Sequence, residues 1–152
     1  MRQLLLQCVE IEELIGKIYR KLATGPAIDG KLRGLLEGMA ADEDNHGSQL
    51  RLASRLLKEN IFAGAKIPRE RIAEILNRAR GCFQQVQAAP LGSEAAIALA
   101  IRLEKEFSEV HAHCAVEFDD PKMAELFRSL AWEDNRHAQE ISQYIETRKG
   151  AK

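Results

Sequence analysis

Cysteine is scarce in this chain: Cys8, Cys82 and Cys114 are the three among 152 residues. An odd number with no Cys-x-x-Cys pair argues against a disulfide framework, and three thiolates exclude a rubredoxin-type iron site, which needs four. They read as small buried apolar residues. Proline is scarcer than glycine, four against ten, and aromatics make up 5%. No long apolar run exists either, because Gln7, Glu10 and Glu12 interrupt the opening segment, so neither a secretory leader nor a membrane-spanning helix is expected. Charge of one sign is also lacking. With 22 basic and 23 acidic residues and a net charge of -1, the chain has no electrostatic footprint for nucleic acid or an anionic membrane. The expectation is one soluble, cytoplasmic domain, with neither nucleic acid nor membrane among its partners.

What is abundant is Leu, Ala, Glu, Arg and Lys, with few β-branched runs, so the chain reads as all-α. The breakers divide it. A first helix covers about residues 2 to 23 and stops at TGPAIDG, and a second runs from about 31 to 59. The stretch IFAGAKIPRE is a connection, after which Pro68 opens a shorter helix to about 87, irregular near Gly81. After AAPLGS, a long helix begins at Ser93 and reaches about 118. Asp120 caps the last one, with Pro121 in its first turn, extending to about 148. Four long helices with two tight hairpins predict an antiparallel four-helix bundle, its halves joined by a crossover over 60 to 92 that carries the short extra helix.

The inward seams are apolar except at their middles. The alternation of threes and fours picks Leu5, Cys8, Glu12, Ile15, Tyr19 and Leu22 in the first helix, then Leu32, Leu36, Met39, Glu43, His46, Leu50, Ala53 and Leu57 in the second. In the second half it picks Ile97, Ala100, Glu104, Phe107, His111, Cys114 and Phe118, then Met123, Phe127, Leu130, Asp134, His137, Ile141 and Tyr144. Glu12 and the Glu43/His46 pair are equally far from the first turn, and Glu104 and the Asp134/His137 pair from the second, each about 24 Å away at 1.5 Å per residue. Four carboxylates and two imidazoles therefore meet at mid-bundle. Burying them costs several kcal/mol per charge unless a cation balances them, and no Lys or Arg lies on the seams. Two divalent ions would balance four negative charges, and mixed oxygen and nitrogen donors suit iron or manganese, with zinc as an alternative.

This pattern resembles the ferritin-like superfamily, and within it the rubrerythrin-type di-iron carboxylate proteins. The resemblance spans nearly the whole chain. Glu104 follows Glu12 by 92 positions, while Asp134 and His137 each follow Glu43 and His46 by 91, matching the family's internal duplication; EELIGKIYRKLA resembles its first-helix motif, with Tyr19 seven after Glu12. The resemblance implies Glu12 and Glu104 as terminal ligands, Glu43 and Asp134 as bridging ligands, and His46 and His137 as the nitrogen ligands of two iron ions. It further implies reduction of peroxide, a likeness to ferroxidases as the alternative, and a homodimer. With no rubredoxin-type site on this chain, the electron donor would be a separate protein such as a rubredoxin. Two residue types differ from the family: Asp134 replaces a glutamate, and Phe107 stands where rubrerythrins carry an additional one.

Other positions keep two readings. His111 is a further ligand or a hydrogen-bonded core histidine, and His113 is structural or exposed. Tyr19 and Tyr144 pack, or bond their hydroxyls to a ligand carboxylate. Trp132 packs or forms an interface, and Phe107 belongs to the core. Glu10, Glu13, Asp42, Asp44, Glu106 and Glu133 fall off the seams and read as solvated charges. Three functions follow: a dimetal peroxidase acting on peroxide, a ferroxidase using dioxygen, and a non-catalytic bundle with a degenerate site.

Overall fold

The computed structural model describes residues 2–56 and 69–150. The chain is all-α, with five helices among the described residues: α1 (Arg2–Ala23), α2 (Gly30–Leu56), α3 (Arg69–Ala88), α4 (Ser93–Glu117) and α5 (Pro121–Gly150). The expected connection at 61 to 70, with Pro68 and the end of the second helix, falls largely outside the described residues. The helix expected near 68 to 87 is α3, and it runs regularly through Gly81.

Local chemistry sets the helix starts. Asp29 caps α2 by accepting the Leu32 amide at 2.9 Å, and Asp120 caps α5 by accepting the Lys122 and Met123 amides at 2.9 Å. Pro121 then occupies the first position of α5, where its missing N–H costs nothing. The α4 start has no side-chain cap, since Gly92 and not Ser93 is the capping residue.

The main pairings are the two hairpins, α1 with α2 and α4 with α5. Every seam residue named above that lies in the described region is buried, apart from the partly buried Ala53. α1 buries more than one seam, with Leu4, Ile11, Leu14 and Ile18 also covered. The cause is α3, which packs against α1 and buries Ile72, Ile75, Leu76, Ala79, Cys82 and Val86. Arg80 of α3 pairs with Glu10 of α1, while Arg78 of α3 pairs with Glu106 of α4, so α3 bridges an edge of both hairpins. All three cysteines are buried free thiols. No described helix is long and apolar enough to cross a membrane.

Two glycines lie on the α1–α2 contact at mid-bundle, and Gly16 is the one with little room for a side chain. A Cβ on Gly16 would lie 3.3 Å from the Ala40 carbonyl oxygen and 3.4 Å from the Glu43 Cβ, and one on Gly47 would lie 3.6 Å from the Glu12 Cβ. The α1–α2 contact at Gly16 therefore lies beside Glu43, and the one at Gly47 beside Glu12.

Candidate metal centre

Glu12 comes from α1, Glu43 and His46 from α2, Glu104 and His111 from α4, and Asp134 and His137 from α5. All seven side chains are buried. Two sets of three converge, each offering atoms within 4.8 Å of one another: Glu12, Glu43 and His46, and Glu43, Glu104 and His137. Glu43 belongs to both. Its Oε2 lies 3.4 Å from Nδ1 of His46, and its Oε1 lies 3.8 Å from Nδ1 of His137. One carboxylate thus presents one oxygen to each half of the cluster.

The imidazoles are oriented from outside. Nε2 of His46 is 3.1 Å from Oε2 of Glu133 on α5, and Nε2 of His137 is 2.9 Å from Oδ2 of Asp42 on α2. With each Nε2–H donated outward, each Nδ1 lone pair points into the cluster. There it meets only acceptors: His46 Nδ1 faces Glu12 Oε2 at 3.7 Å, and His137 Nδ1 faces Glu104 Oε1 at 3.4 Å. Among the described residues, neither Nδ1 atom has a hydrogen-bond partner, and neither does Oε1 of Glu12. Buried acceptors facing acceptors need a cation between them, either a proton or a metal. The donor set therefore fits a pair of carboxylate and imidazole metal sites.

With protons as the only counter-charge, electrostatics are strongly displaced. Burial opposes the charged form of His46, yet Glu12 and Glu43 beside it push its pKa up to about 12. Burial likewise opposes protonated His111, which Asp134 and Glu12 push up to about 10. His137 is raised against its own burial by Glu104. Burial and the neighbouring Glu12 hold Glu43 well above the carboxylate range, while burial and the charge of Asp134 lift Glu104 to about 7 against the pull of His137. Glu12 is the opposite member of the pair. Against its burial, the neighbouring Glu43, His111 and His46 hold it below the usual range.

The remaining named residues separate clearly. Tyr19 donates its hydroxyl to Glu104 Oε1 at 2.7 Å, and burial with the nearby Glu104 and Glu43 charges keeps the phenol protonated. Tyr144 instead donates to Asp29 at 2.5 Å, near the capped start of α2 and away from the cluster. Asp134 shares the cavity but belongs to neither converging set: its Oδ2 is 2.8 Å from His111 Nδ1. Nε2 of His111 lies 3.1 Å from Glu12 Oε1. His113 is exposed and Phe107 is core. Trp132 does not pack inside, since it is 66% exposed.

Two of the six off-seam acids need correction as solvated charges: Asp42 and Glu133 reach across to the histidine of the opposite hairpin. Their signal was the repeat itself. Each stands one position before the acid of its acid-x-x-His motif, 91 residues apart. Glu10, Glu13, Asp44 and Glu106 do form surface pairs, with Arg80, Arg51, Arg20 and Arg78 respectively. No protein-family model, curated protein or solved structure matches the chain.

Proposed function

We propose that the chain is a dimetal carboxylate oxidoreductase of the ferritin-like, rubrerythrin type, reducing peroxide at a centre held by Glu12, Glu43, His46, Glu104 and His137. The observation that carries this reading is the Glu43 carboxylate, with one oxygen toward the unpartnered Nδ1 of His46 and the other toward that of His137. The sequence resemblance adds the family and the reaction. Two iron ions are the proposed cofactor, with manganese or zinc as alternatives for these donors. Held there, two metal ions would supply Lewis acidity and the two electrons, one from each, that reduction of peroxide requires.

The protein's part is to hold and orient. Glu43 keeps the two positions close, and Glu12 and Glu104 flank it from α1 and α4. Glu133 and Asp42 fix the histidine tautomers so that Nδ1 is the free donor, and such outer partners raise ligand basicity. Tyr19 remains a neutral donor beside Glu104. Burial keeps bulk water from the centre, which strengthens each electrostatic contact within it. A separate protein such as a rubredoxin would return electrons, and a homodimer is the proposed assembly.

Anaerobic loading with Fe(II), followed by separate mixing with hydrogen peroxide and dioxygen, tests the reaction. Faster oxidation of the bound iron by peroxide is the expected result. Faster oxidation by dioxygen would instead make the protein a ferroxidase, and failure to bind iron would leave a non-catalytic bundle.

A further inference from the structure

In the first half of the chain Tyr19 has one polar atom to offer, and it goes to Glu104. His111, which follows Tyr19 by 92 positions, has two ring nitrogens. Nδ1 is hydrogen-bonded to Asp134 Oδ2 at 2.8 Å, while Nε2 lies 3.1 Å from Glu12 Oε1 without forming a hydrogen bond to it. Asp134 follows Glu43 by 91 positions and is one methylene shorter. Glu43 reaches both histidines, while Asp134 meets His111 on the neighbouring helix.

We infer that His111 is a positioning residue that latches Asp134 outside the metal coordination sphere, leaving Glu43 as the one protein carboxylate shared by both metals. This rests on the dimetal reading above. The geometry distinguishes the two metal positions. At one, Tyr19 donates its hydroxyl to Oε1 of Glu104; at the other, Oε1 of Glu12 lies 3.1 Å from His111 Nε2 and receives no hydrogen bond among the described residues. Of the two residues expected to bridge, one therefore bridges and the other anchors a histidine. The centre is asymmetric by construction, and the side on which Asp134 is withdrawn is where an exogenous ligand would find the least competition.

The pocket around His111 is suited to a test. Phe107 and Phe127 lie beside its ring, with centroids 6.2 and 5.7 Å away, so a phenyl ring at position 111 has aromatic neighbours to pack on. The metal-free protein would be titrated with Mn(II), counting bound ions and recording electron paramagnetic resonance spectra for the wild type, Asp134→Asn, His111→Phe and the double variant. The wild type and Asp134→Asn should both bind two ions, with affinities within about threefold of each other, because Asp134 supplies no ligand. His111→Phe should release Asp134 to the metals, tightening binding by about tenfold and altering the coupled spectrum, and adding Asp134→Asn should abolish that change. A merely structural histidine would give no such reversal.

Loss of one ion in Asp134→Asn would overturn the latch, as would indistinguishable binding by His111→Phe and the double variant. A wild type that binds fewer than two ions would overturn the dimetal reading itself. If His111→Phe does not fold, the near-isosteric Asp134→Asn still decides between the latch and a bridging aspartate.

Discussion

The imidazoles of His46 on α2 and His137 on α5 lie nearly parallel, with centroids 6.3 Å apart and planes 27° from each other, each anchored at Nε2 by an acid from the other's helix. This exchange of acids makes the two halves depend on each other. Asp42 of α2 holds the α5 histidine, and Glu133 of α5 holds the α2 histidine.

Metal uptake should therefore release protons. In the metal-free cluster His46 is held protonated, its pKa pushed up to about 12 by Glu12 and Glu43 against burial, and Glu43 keeps its proton well above the usual range because of burial and Glu12. A metal needs neutral imidazole and ionised carboxylate. Because both pKa values are raised, acid favours the form that cannot bind, and affinity should rise with pH by about tenfold per unit for each proton released. Titration calorimetry in buffers of different ionisation heat, between pH 6 and 8, would show this release. Affinity that does not change over that range would contradict the assignment.

Asp42 and Glu133 should behave as part of the centre although both touch solvent. Asp42→Asn and Glu133→Gln are each expected to weaken metal binding by about tenfold or more while leaving the fold intact, as loss of an outer histidine partner generally does. Asp44→Asn is the control, since the Asp44 carboxylate pairs with Arg20 on the surface and such pairs contribute about 0 to 1 kcal/mol. Metal affinity equal in all three variants would return Asp42 and Glu133 to the class of ordinary surface charges.

The helix contact beneath the site gives a stability prediction. Replacing a helical glycine by alanine normally stabilises by about 0.5–1 kcal/mol through backbone entropy. Gly47→Ala should realise that gain, because its new Cβ meets the Glu12 Cβ at an ordinary 3.6 Å. Gly16→Ala should not, because its Cβ would press on the Ala40 carbonyl oxygen at 3.3 Å and on Glu43 at 3.4 Å. Thermal melts of the two metal-free variants check this, and an equal gain in both would show that the α1–α2 approach is looser than described.

Much of this was legible in the sequence because burial in a helical bundle writes itself as a period. The seam through Leu130, Asp134, His137 and Ile141 is inward as its spacing requires, and equal distances from the two turns bring the polar residues to one level. Relations between helices were less legible. A seam is defined against one partner, so α1 was given a single inward stripe although Leu4, Ile11, Leu14 and Ile18 were already signs of a second covering helix, the role of α3. For the same reason Asp42 and Glu133, off the seams of their own helices, carry the pattern of solvated charges in the sequence, although each serves a histidine on another helix. The contact between Asp134 and His111 depends on side-chain length and ring-nitrogen placement, which periodicity does not encode.

Glu43 is the residue common to both converging sets, and counting iron tests its role most directly. Metal-free wild type, Glu43→Gln and Glu43→Ala would be loaded anaerobically with excess Fe(II), freed of unbound metal, and assayed for iron per chain, with circular dichroism confirming the helices. The account expects two irons per wild-type chain and fewer than two in both variants, because Glu43 alone belongs to both converging sets. No iron in the wild type, or two irons bound with undiminished affinity in Glu43→Ala, would contradict it.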